Sequence, residues 1–321
     1  SANLRTNAAA VPAPPALPAA AAKLGTDARV AQLFLVTTDG TPPRRRDWGG
    51  LLVTGAPTSA LRAAARRAHP PTLVASAALP APPALGRMGA AQVRAAYRTA
   101  GRGLRSAGAR LAVDLPADVA APAGPMADRS FGDDPAVVER ALGGAAGGLL
   151  ASHLAFAVGH FPGQGAVTQD PLDGPASVGL SREELEARDL GAFRSVLDKA
   201  AAVTVSSAVF TRYDPVTPAA LSPRVLRDEL RDRLGFAGVA ITDDLSGVVA
   251  VTGGRGGGTV SAAAVEALRA GADMVRVGDE AQALAARRAV VGALRTGKLP
   301  AARVNEALGR VLALKRRAGL R

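Results

Sequence analysis

The sequence predicts a single-domain α/β fold, a TIM-type (β/α)8 barrel, from two features of its pattern. Short apolar runs rich in β-branched residues alternate with longer amphipathic segments, as in parallel sheets covered by helices. The runs number eight, the strand count that closes such a barrel. The predicted strands are Leu33–Val36, Gly50–Thr54, Thr72–Ser76, Ala109–Asp114, Leu154–Val158, Val203–Val209, Gly238–Thr242 and Asp273–Val277.

Helical patterns fill the segments between these strands. In LSPRVLRDELRDRLGF, Ser222 is the expected N-cap, Pro223 fits the first helical position and Gly235 fits the stop. An open doubly wound sheet is the alternative fold, but no dinucleotide-binding glycine motif follows the first strand. The predicted helices are Ser59–Ala68, Ala90–Ala107, Asp134–Ala146, Ser181–Lys199, Ser222–Leu234, Thr259–Ala270 and Glu280–Thr296.

Composition excludes several kinds of site. The 321 residues are 48% hydrophobic but only 3% aromatic, so the core must consist mainly of Ala, Val and Leu. The chain has no Cys, which excludes disulfides and thiolate metal sites. Its three scattered His residues argue against a His-based metal site, so we expect no metal. The glycine-rich run Gly253–Gly258 lacks the Lys-Ser/Thr of a P-loop and predicts a flexible loop.

The formal net charge of +12 comes almost entirely from arginine. These arginines are dispersed along the chain, which favours solvated helix surfaces. The two basic clusters, Arg44–Arg46 and Leu314–Arg317, lack interleaved aromatic residues that could stack on bases. We therefore do not expect nucleic-acid binding, and attraction to an anionic polymer stays open.

The first 25 residues, rich in Pro and Ala, predict a linker, with the barrel domain over 26–321. Such linkers often tether exported domains, so we expect export or attachment to the cell envelope, with a cytoplasmic location left open. No transmembrane helix is expected, because the uncharged run Ala141–Phe161 is interrupted by repeated Gly and by Ser152 and His153. The sequence does not indicate an oligomeric state.

Several motifs at predicted strand ends resemble one family. ADRSFGDDPAVV (Ala127–Val138) is similar to GDRSFGxDPxxV, GHFPGQG (Gly159–Gly165) to KHFPGHG, and GFAGVAITDDLS (Gly235–Ser246) to GFxGVVxSDDLS. These are motifs of the barrel domain of family-3 glycoside hydrolases, and the nearest branch is the single-domain β-N-acetylglucosaminidases that act on peptidoglycan. The resemblance covers about residues 26–320. It implies a retaining mechanism based on carboxylates, with no metal or organic cofactor.

The resemblance also implies roles for individual residues. Asp243 matches the nucleophile, although the residues alone leave open that it caps the following helix. Asp244 would support Asp243 or cap that helix, and we group it with the sugar-binding residues. His160 is expected to contact sugar, as is Gln164, which replaces the second His of the motif. Asp118 matches APVxDV and is expected to be structural.

Arg129 of the DRSFG motif faces the sugar pocket in the family. The residues alone leave a second interpretation open, in which Arg129 forms a salt bridge that shapes its own loop. The candidate partners for that bridge are Asp128, Asp133 and Asp134.

Three departures from the family pattern predict a degenerate active site. The family has an Asp-x-His pair whose His is the general acid/base, but here Asp170 is followed by Leu172 in place of that His. Gly159 replaces the Lys of KHF. The DQEGGRVxRL segment expected after the third strand is missing. Asp170 or Asp173 could replace the acid if a pocket raised its pKa.

Three functions therefore stay open. The first is a catalytically impaired or inactive family-3 homologue that binds a cell-wall amino sugar or glycan fragment. The second is an active retaining exo-β-glycosidase with Asp243 as nucleophile and a non-standard acid. The third is a basic module that binds an anionic polymer. The sequence does not name the sugar or the linkage.

Overall fold

A computed structural model describes residues 13–18, 21, 23–253 and 258–320. Eight parallel strands close into a barrel, which confirms the predicted fold class. The strands are β1 Phe34–Thr37, β2 Gly50–Val53, β3 Leu73–Ser76, β4 Leu111–Pro116, β5 Ala155–Phe161, β6 Ser177–Val178, β7 Ala202–Val205, β8 Val209–Phe210, β9 Val239–Asp244 and β10 Met274–Val277. The order around the barrel is β1-β10-β9-β7-β5-β4-β3-β2, and β6 and β8 pair with each other outside it.

Helices follow most of the barrel strands, but β1 leads to β2 without a helix between them. Segments with wider, π-type turns occur at Glu186–Leu190 and Arg224–Arg233, and a 3₁₀ turn at Ala219–Leu221. The α-helices are α1 Thr26–Ala31, α2 Ser59–Arg67, α3 Pro82–Gly86, α4 Ala90–Ser106, α5 Pro135–Ala151, α6 Arg182–Leu185, α7 Gly191–Arg194, α8 Leu245–Thr252, α9 Val260–Ala270, α10 Glu280–Arg295 and α11 Ala301–Arg317.

The sequence-based boundaries differ from the structure at several strands and helices: β4 and β9 continue to Pro116 and Asp244, the helix predicted over Asp134–Ala146 continues to Ala151, and the helix predicted over Ser181–Lys199 is divided into shorter segments. Strand β5 continues to Phe161, and the predicted strand Val203–Val209 divides into β7 and β8. Ser222 immediately precedes the first helical residue, Pro223, as predicted, but its hydroxyl is buried without a hydrogen-bond partner and does not cap the helix. The N–H groups of Val225 and Leu226 donate instead to the Ser222 carbonyl.

A buried charge cluster ties the helical layer to the start of β10. The Asp273 carboxylate, fully buried, pairs with Arg231 at 2.6 Å and with Arg303 at 2.5 Å. Arg310 lies 3.2 Å away, and the Ala240 N–H donates to the same carboxylate at 3.0 Å. Burial opposes ionisation, but the three guanidinium groups outweigh it and hold the pKa of Asp273 below its usual range.

The described part of the Pro/Ala-rich start lies against the barrel. Ala21 is buried and Leu17 packs against the core, while the Pro15 carbonyl closely approaches Gly309 of α11. Residues 1–12, 19, 20 and 22 lie outside the described residues, as do residues 254–257 of the glycine-rich run. The division at residue 26 stays a prediction. Of the described helices, none is both long and apolar enough to cross a membrane.

Candidate functional site

Polar side chains meet at the carboxyl ends of the barrel strands, where three strand pairings shift register. The shifts lie between Ala112 and Leu115, between Val158 and Phe161, and between Met274 and Arg276. A β-bulge interrupts the ladder and redirects the neighbouring side chain. Asp114, His160 and Arg276 lie at these three places, and they surround Asp243 at the end of β9.

Asp243 lies where the sequence predicts the nucleophile, and its carboxylate is partly open to solvent. Its Oδ1 accepts the Asp244 N–H at 2.7 Å and lies 3.4 Å from Nη1 of Arg276. Burial raises the pKa of the Asp243 carboxyl, and Asp114 adds to this, while His160 and Arg276 oppose it. The following helix is capped by Asp244, whose Oδ1 accepts the Ser246 N–H at 2.8 Å, and not by Asp243.

Asp114 and Arg276 form an ion pair beside Asp243. Nη1 of Arg276 is 2.9 Å from Oδ2 of Asp114, and the Thr204 hydroxyl donates to Oδ1 of Asp114 at 3.1 Å. Burial would raise the pKa of Asp114, but Arg276 and His160 outweigh it, so the pKa lies below its usual range. Of the two carboxyls around this guanidinium, Asp114 therefore holds its negative charge more firmly than Asp243.

Asp118 holds His160 and the HFPG turn in place. Its buried carboxylate accepts the backbone N–H of His160 at 3.1 Å and that of Gln164 at 2.6 Å. It also lies 2.9 Å from Nδ1 of His160. The expected structural role of Asp118 is thus borne out. Burial lowers the pKa of His160, but the charge and hydrogen bond of Asp118, helped by Asp243 and Asp114, raise it to about 9.

The raised pKa of His160 predicts a pH-dependent stability. A group whose pKa rises on folding stabilises the fold below its unfolded pKa, near 6.5, and this contribution is lost as pH rises towards 9. At 1.36 kcal/mol per pKa unit, we expect the free energy of unfolding to fall by at most about 3 kcal/mol over that range. Urea unfolding at several pH values measures this. His160→Gln should flatten the dependence, and parallel curves for the two proteins would contradict the prediction.

The loop that should supply the general acid is organised around another ion pair. Asp170 forms a close salt bridge with Arg129, and its Oδ1 accepts the Leu172 N–H at 3.0 Å. The predicted partners of Arg129 within its own loop are thus not the ones it contacts, because Asp170 reaches it from the facing loop. The Leu172 side chain is 58% exposed and lies beside Gly247 of α8, the helix that follows Asp243.

The other predicted site residues differ in their solvent exposure. Both ends of the buried Gln164 amide have partners, since Oε1 accepts the Ser206 hydroxyl at 2.5 Å and Nε2 lies 3.6 Å from the Met126 sulfur. Asp173 is exposed, and its backbone N–H donates to the Asp170 carbonyl. The sugar-binding and acid roles of these residues stay predictions.

Sequence reasoning gave no role to Asp114, Thr204 or Arg276. A signal was present, because MVRV and LAVDLP each place one charged residue in an otherwise apolar strand. Such a charge is almost always paired when it is buried. Which partner it finds depends on strands far apart in the chain. Within the described ranges, no three His, Asp or Glu side chains are grouped so that they could hold a metal ion.

Comparison with known families and curated proteins identifies relatives of this chain. The glycosyl hydrolase family 3 N-terminal domain matches residues 73–314. A beta-hexosaminidase of Stenotrophomonas maltophilia (strain R551-3) is 34% identical over 153 residues, which are 47% of this chain and 44% of that protein. One from Xanthomonas campestris pv. campestris (strain B100) is 31% identical over 220 residues, 65% of each. The chain thus spans less than two thirds of these relatives.

Solved structures share the barrel over nearly the whole chain. A beta-N-acetylhexosaminidase from Beutenbergia cavernae DSM 12333 has a TM-score of 0.80 and 28% identity, covering 92% of this chain and 99% of its own. A family 3 beta-N-acetylglucosaminidase from Paenibacillus sp. str. FPU-7 has a TM-score of 0.82 and 26% identity, covering 92% of this chain and 63% of its own.

Proposed function

The chain belongs to glycoside hydrolase family 3 through its N-terminal barrel domain, and on this premise we propose that it is a beta-hexosaminidase-like barrel that binds a cell-wall amino sugar or glycan fragment but has impaired or lost hydrolysis. The observation that carries the proposal is the acid position. Leu172 has no proton to give, and the adjacent carboxylate of Asp170 is engaged by Arg129. Loss of a general acid costs about 10²–10⁴-fold in rate.

The state of the nucleophile position supports the same proposal. A retaining mechanism needs an ionised carboxylate to attack the anomeric carbon. Arg276 lies closer to Asp114, at 2.9 Å, than to Asp243, at 3.4 Å. The pKa of Asp243 is raised while that of Asp114 is lowered, so of these two carboxylates the guanidinium stabilises Asp114 more.

One observation favours the second candidate, an active retaining glycosidase. Asp243 still lies next to the last residue of β9 and its side chain is 20% exposed, so the carboxylate is open to solvent at the barrel mouth. That enzyme would need another acid, and Asp170 or Asp173 are the carboxyls on the loop where the family carries it.

Hydrolysis of 4-nitrophenyl N-acetyl-β-glucosaminide and related aryl β-glycosides separates these candidates. We expect no turnover above that of Asp243→Asn, together with binding of N-acetylglucosamine observed by calorimetry or NMR. Turnover that Asp243→Asn abolishes would overturn the impaired-barrel proposal and favour the active enzyme. Binding of an anionic polymer that weakens steeply with salt, without sugar binding, would favour the basic module instead.

We extend the proposal to location. Export or attachment to the envelope would bring this barrel to its glycan, and the Pro/Ala-rich start is the feature that supports it. Fractionation of cells that produce the protein tests this, and recovery in the cytoplasmic fraction alone would contradict it.

A further inference from the structure

We propose that Asp114 and Arg276 form a grip for the hydroxyl groups of a neutral pyranose at the floor of the barrel mouth. The grip would supply polar contacts that the missing loop segment after β3 and Gly159 do not. This inference rests on the proposed function, because it places the sugar beside Asp243. It names specificity-determining residues for that site.

An unusual backbone conformation positions the Asp114 carboxylate. Asp114 lies within the register shift between β4 and β5 and has a φ of +57°. That left-handed conformation is unfavourable for a residue with a side chain, and such outliers persist where the surroundings hold them, often at binding sites. Here the holding contacts are the Thr204 hydroxyl and the Arg276 guanidinium.

Arg276 is fixed at a bulge in the same way. Its backbone N–H donates to the Thr242 hydroxyl at 3.0 Å where β10 shifts register against β9. Its Nη1 lies between the carboxylates of Asp114 and Asp243, and its Nε is buried without a hydrogen-bond partner among the described residues. The guanidinium is therefore positioned by the strand but not fully satisfied by protein atoms.

The pair remains reachable from the mouth. The side chain of Asp114 is 23% exposed and that of Arg276 is 18% exposed. A carboxylate oxygen accepts a hydrogen bond from a sugar hydroxyl, and a guanidinium nitrogen donates one to the oxygen of the same or the next hydroxyl. An ion pair at this exposure presents both kinds of partner side by side, as vicinal hydroxyls require.

The glycine at position 159 is coupled to this arrangement. A Cβ at Gly159 would come within 2.9 Å of Cβ of Thr204, the residue whose hydroxyl holds Asp114. A side chain at position 159 and Thr204 in its present place therefore exclude each other. Gly159 stands in place of the Lys of the KHF motif. Beside it, Thr204 of β7 supports a different polar floor, formed by Asp114 of β4 and Arg276 of β10.

The charge of the floor indicates a neutral ligand. Asp114 and Arg276 already pair with each other, and Asp243 and Asp244 add further acidic groups around the guanidinium. Neutral hydroxyls can bridge the pair without adding charge, whereas a carboxylate-bearing sugar would bring one more acidic group to the same floor.

The test compares affinities for N-acetylglucosamine and its 3-, 4- and 6-deoxy analogues by calorimetry or NMR titration. We expect Asp114→Asn and Arg276→Met each to weaken binding about tenfold or more, as expected for a lost hydrogen bond to a charged group. One of the deoxy analogues should bind the unaltered chain more weakly than N-acetylglucosamine by a similar factor. The Asp114→Asn variant should bind that analogue and N-acetylglucosamine with equal affinity. Asn tolerates a left-handed backbone, so this variant should keep its fold.

Asp279→Asn is the matched control. Asp279 lies three residues beyond Arg276, is exposed, and caps α10 through the Gln282 N–H, which Asn can also do. It changes the charge of the same barrel end equally and should leave affinity unchanged.

The outcomes separate the grip from the proposed function. Equal affinity of the unaltered chain, Asp114→Asn and Arg276→Met overturns the grip alone. The grip is also overturned if every deoxy analogue loses as much affinity for Asp114→Asn as for the unaltered chain. Such additive losses indicate an indirect structural effect of the substitution. If the unaltered chain binds no sugar, both the grip and the sugar-binding part of the proposed function fail. If it turns over aryl glycosides, the impairment fails, and the grip then predicts a higher KM in Asp114→Asn.

Discussion

Leu172→His is expected to give the chain Asp243-dependent hydrolysis of aryl N-acetyl-β-glucosaminides, about 10²-fold or more above the unaltered protein. The backbone already places position 172 beside Asp170, whose Oδ1 accepts its N–H, and beside Gly247 of the helix that follows Asp243. An imidazole there would have a carboxylate to orient it and a proton to donate near neutral pH. Initial rates with the 4-nitrophenyl substrate measure the gain.

Leu172→Gln is the matched control, because it adds a polar side chain of similar length that cannot act as an acid. The double variant Leu172→His with Asp243→Asn should lose whatever activity the single change supplies. No gain from Leu172→His would mean that the missing acid is not what limits catalysis. The defect would then lie in the floor, where Arg276 favours Asp114 over Asp243.

Asp273→Asn is expected to lower the free energy of unfolding by about 3–5 kcal/mol, since the buried Arg231 then loses its carboxylate partner, while Arg303 and Arg310 keep only Glu306. Three arginines, Arg231, Arg303 and Arg310, converge on this single carboxylate. Asn keeps the size of the side chain and can still accept the Ala240 N–H, so the loss reports the charge. Urea or guanidinium unfolding at neutral pH measures it.

Asp27→Asn provides the comparison for that change. Asp27 also contacts two arginines, Arg45 and Arg287, but its side chain is 55% exposed. Surface ion pairs contribute little, so the same substitution there should cost less than about 1 kcal/mol. Similar losses in the free energy of unfolding for both variants would contradict the prediction, because burial would then not explain the contribution of the Asp273 cluster.

Much of the barrel follows from local patterns in the sequence. Each of the eight barrel strands lies within a few residues of its predicted run, because a buried parallel strand needs a short apolar segment wherever it lies. The place of Asp243 was also predictable, since a strand-end residue in a closed barrel must lie at the mouth. The structural role of Asp118 was predicted from its motif, and the structure shows the hydrogen bonds to the backbone that explain this role.

The ion pairs were not predictable, because each joins residues far apart in the chain. Arg129 has acidic neighbours in its own loop, yet it pairs with Asp170, 41 positions away. Arg276 pairs with Asp114 across 162 positions. Spacing along the chain carries information about partners within a helix or a turn, but the geometry of the closed barrel decides which strand ends face each other.

The sequence by itself determined the barrel, the strand-end position of Asp243 and the apolar side chain at Leu172, since these depend on local apolar patterns and on the chemistry of single side chains. Only the tertiary structure decided which polar side chains meet at the barrel mouth. Strand closure brings Asp114, Thr204 and Arg276 together, and the Thr204 side chain leaves no room for any side chain at Gly159. Steric exclusion and charge pairing act between atoms in space, so neither could be read from the order of residues.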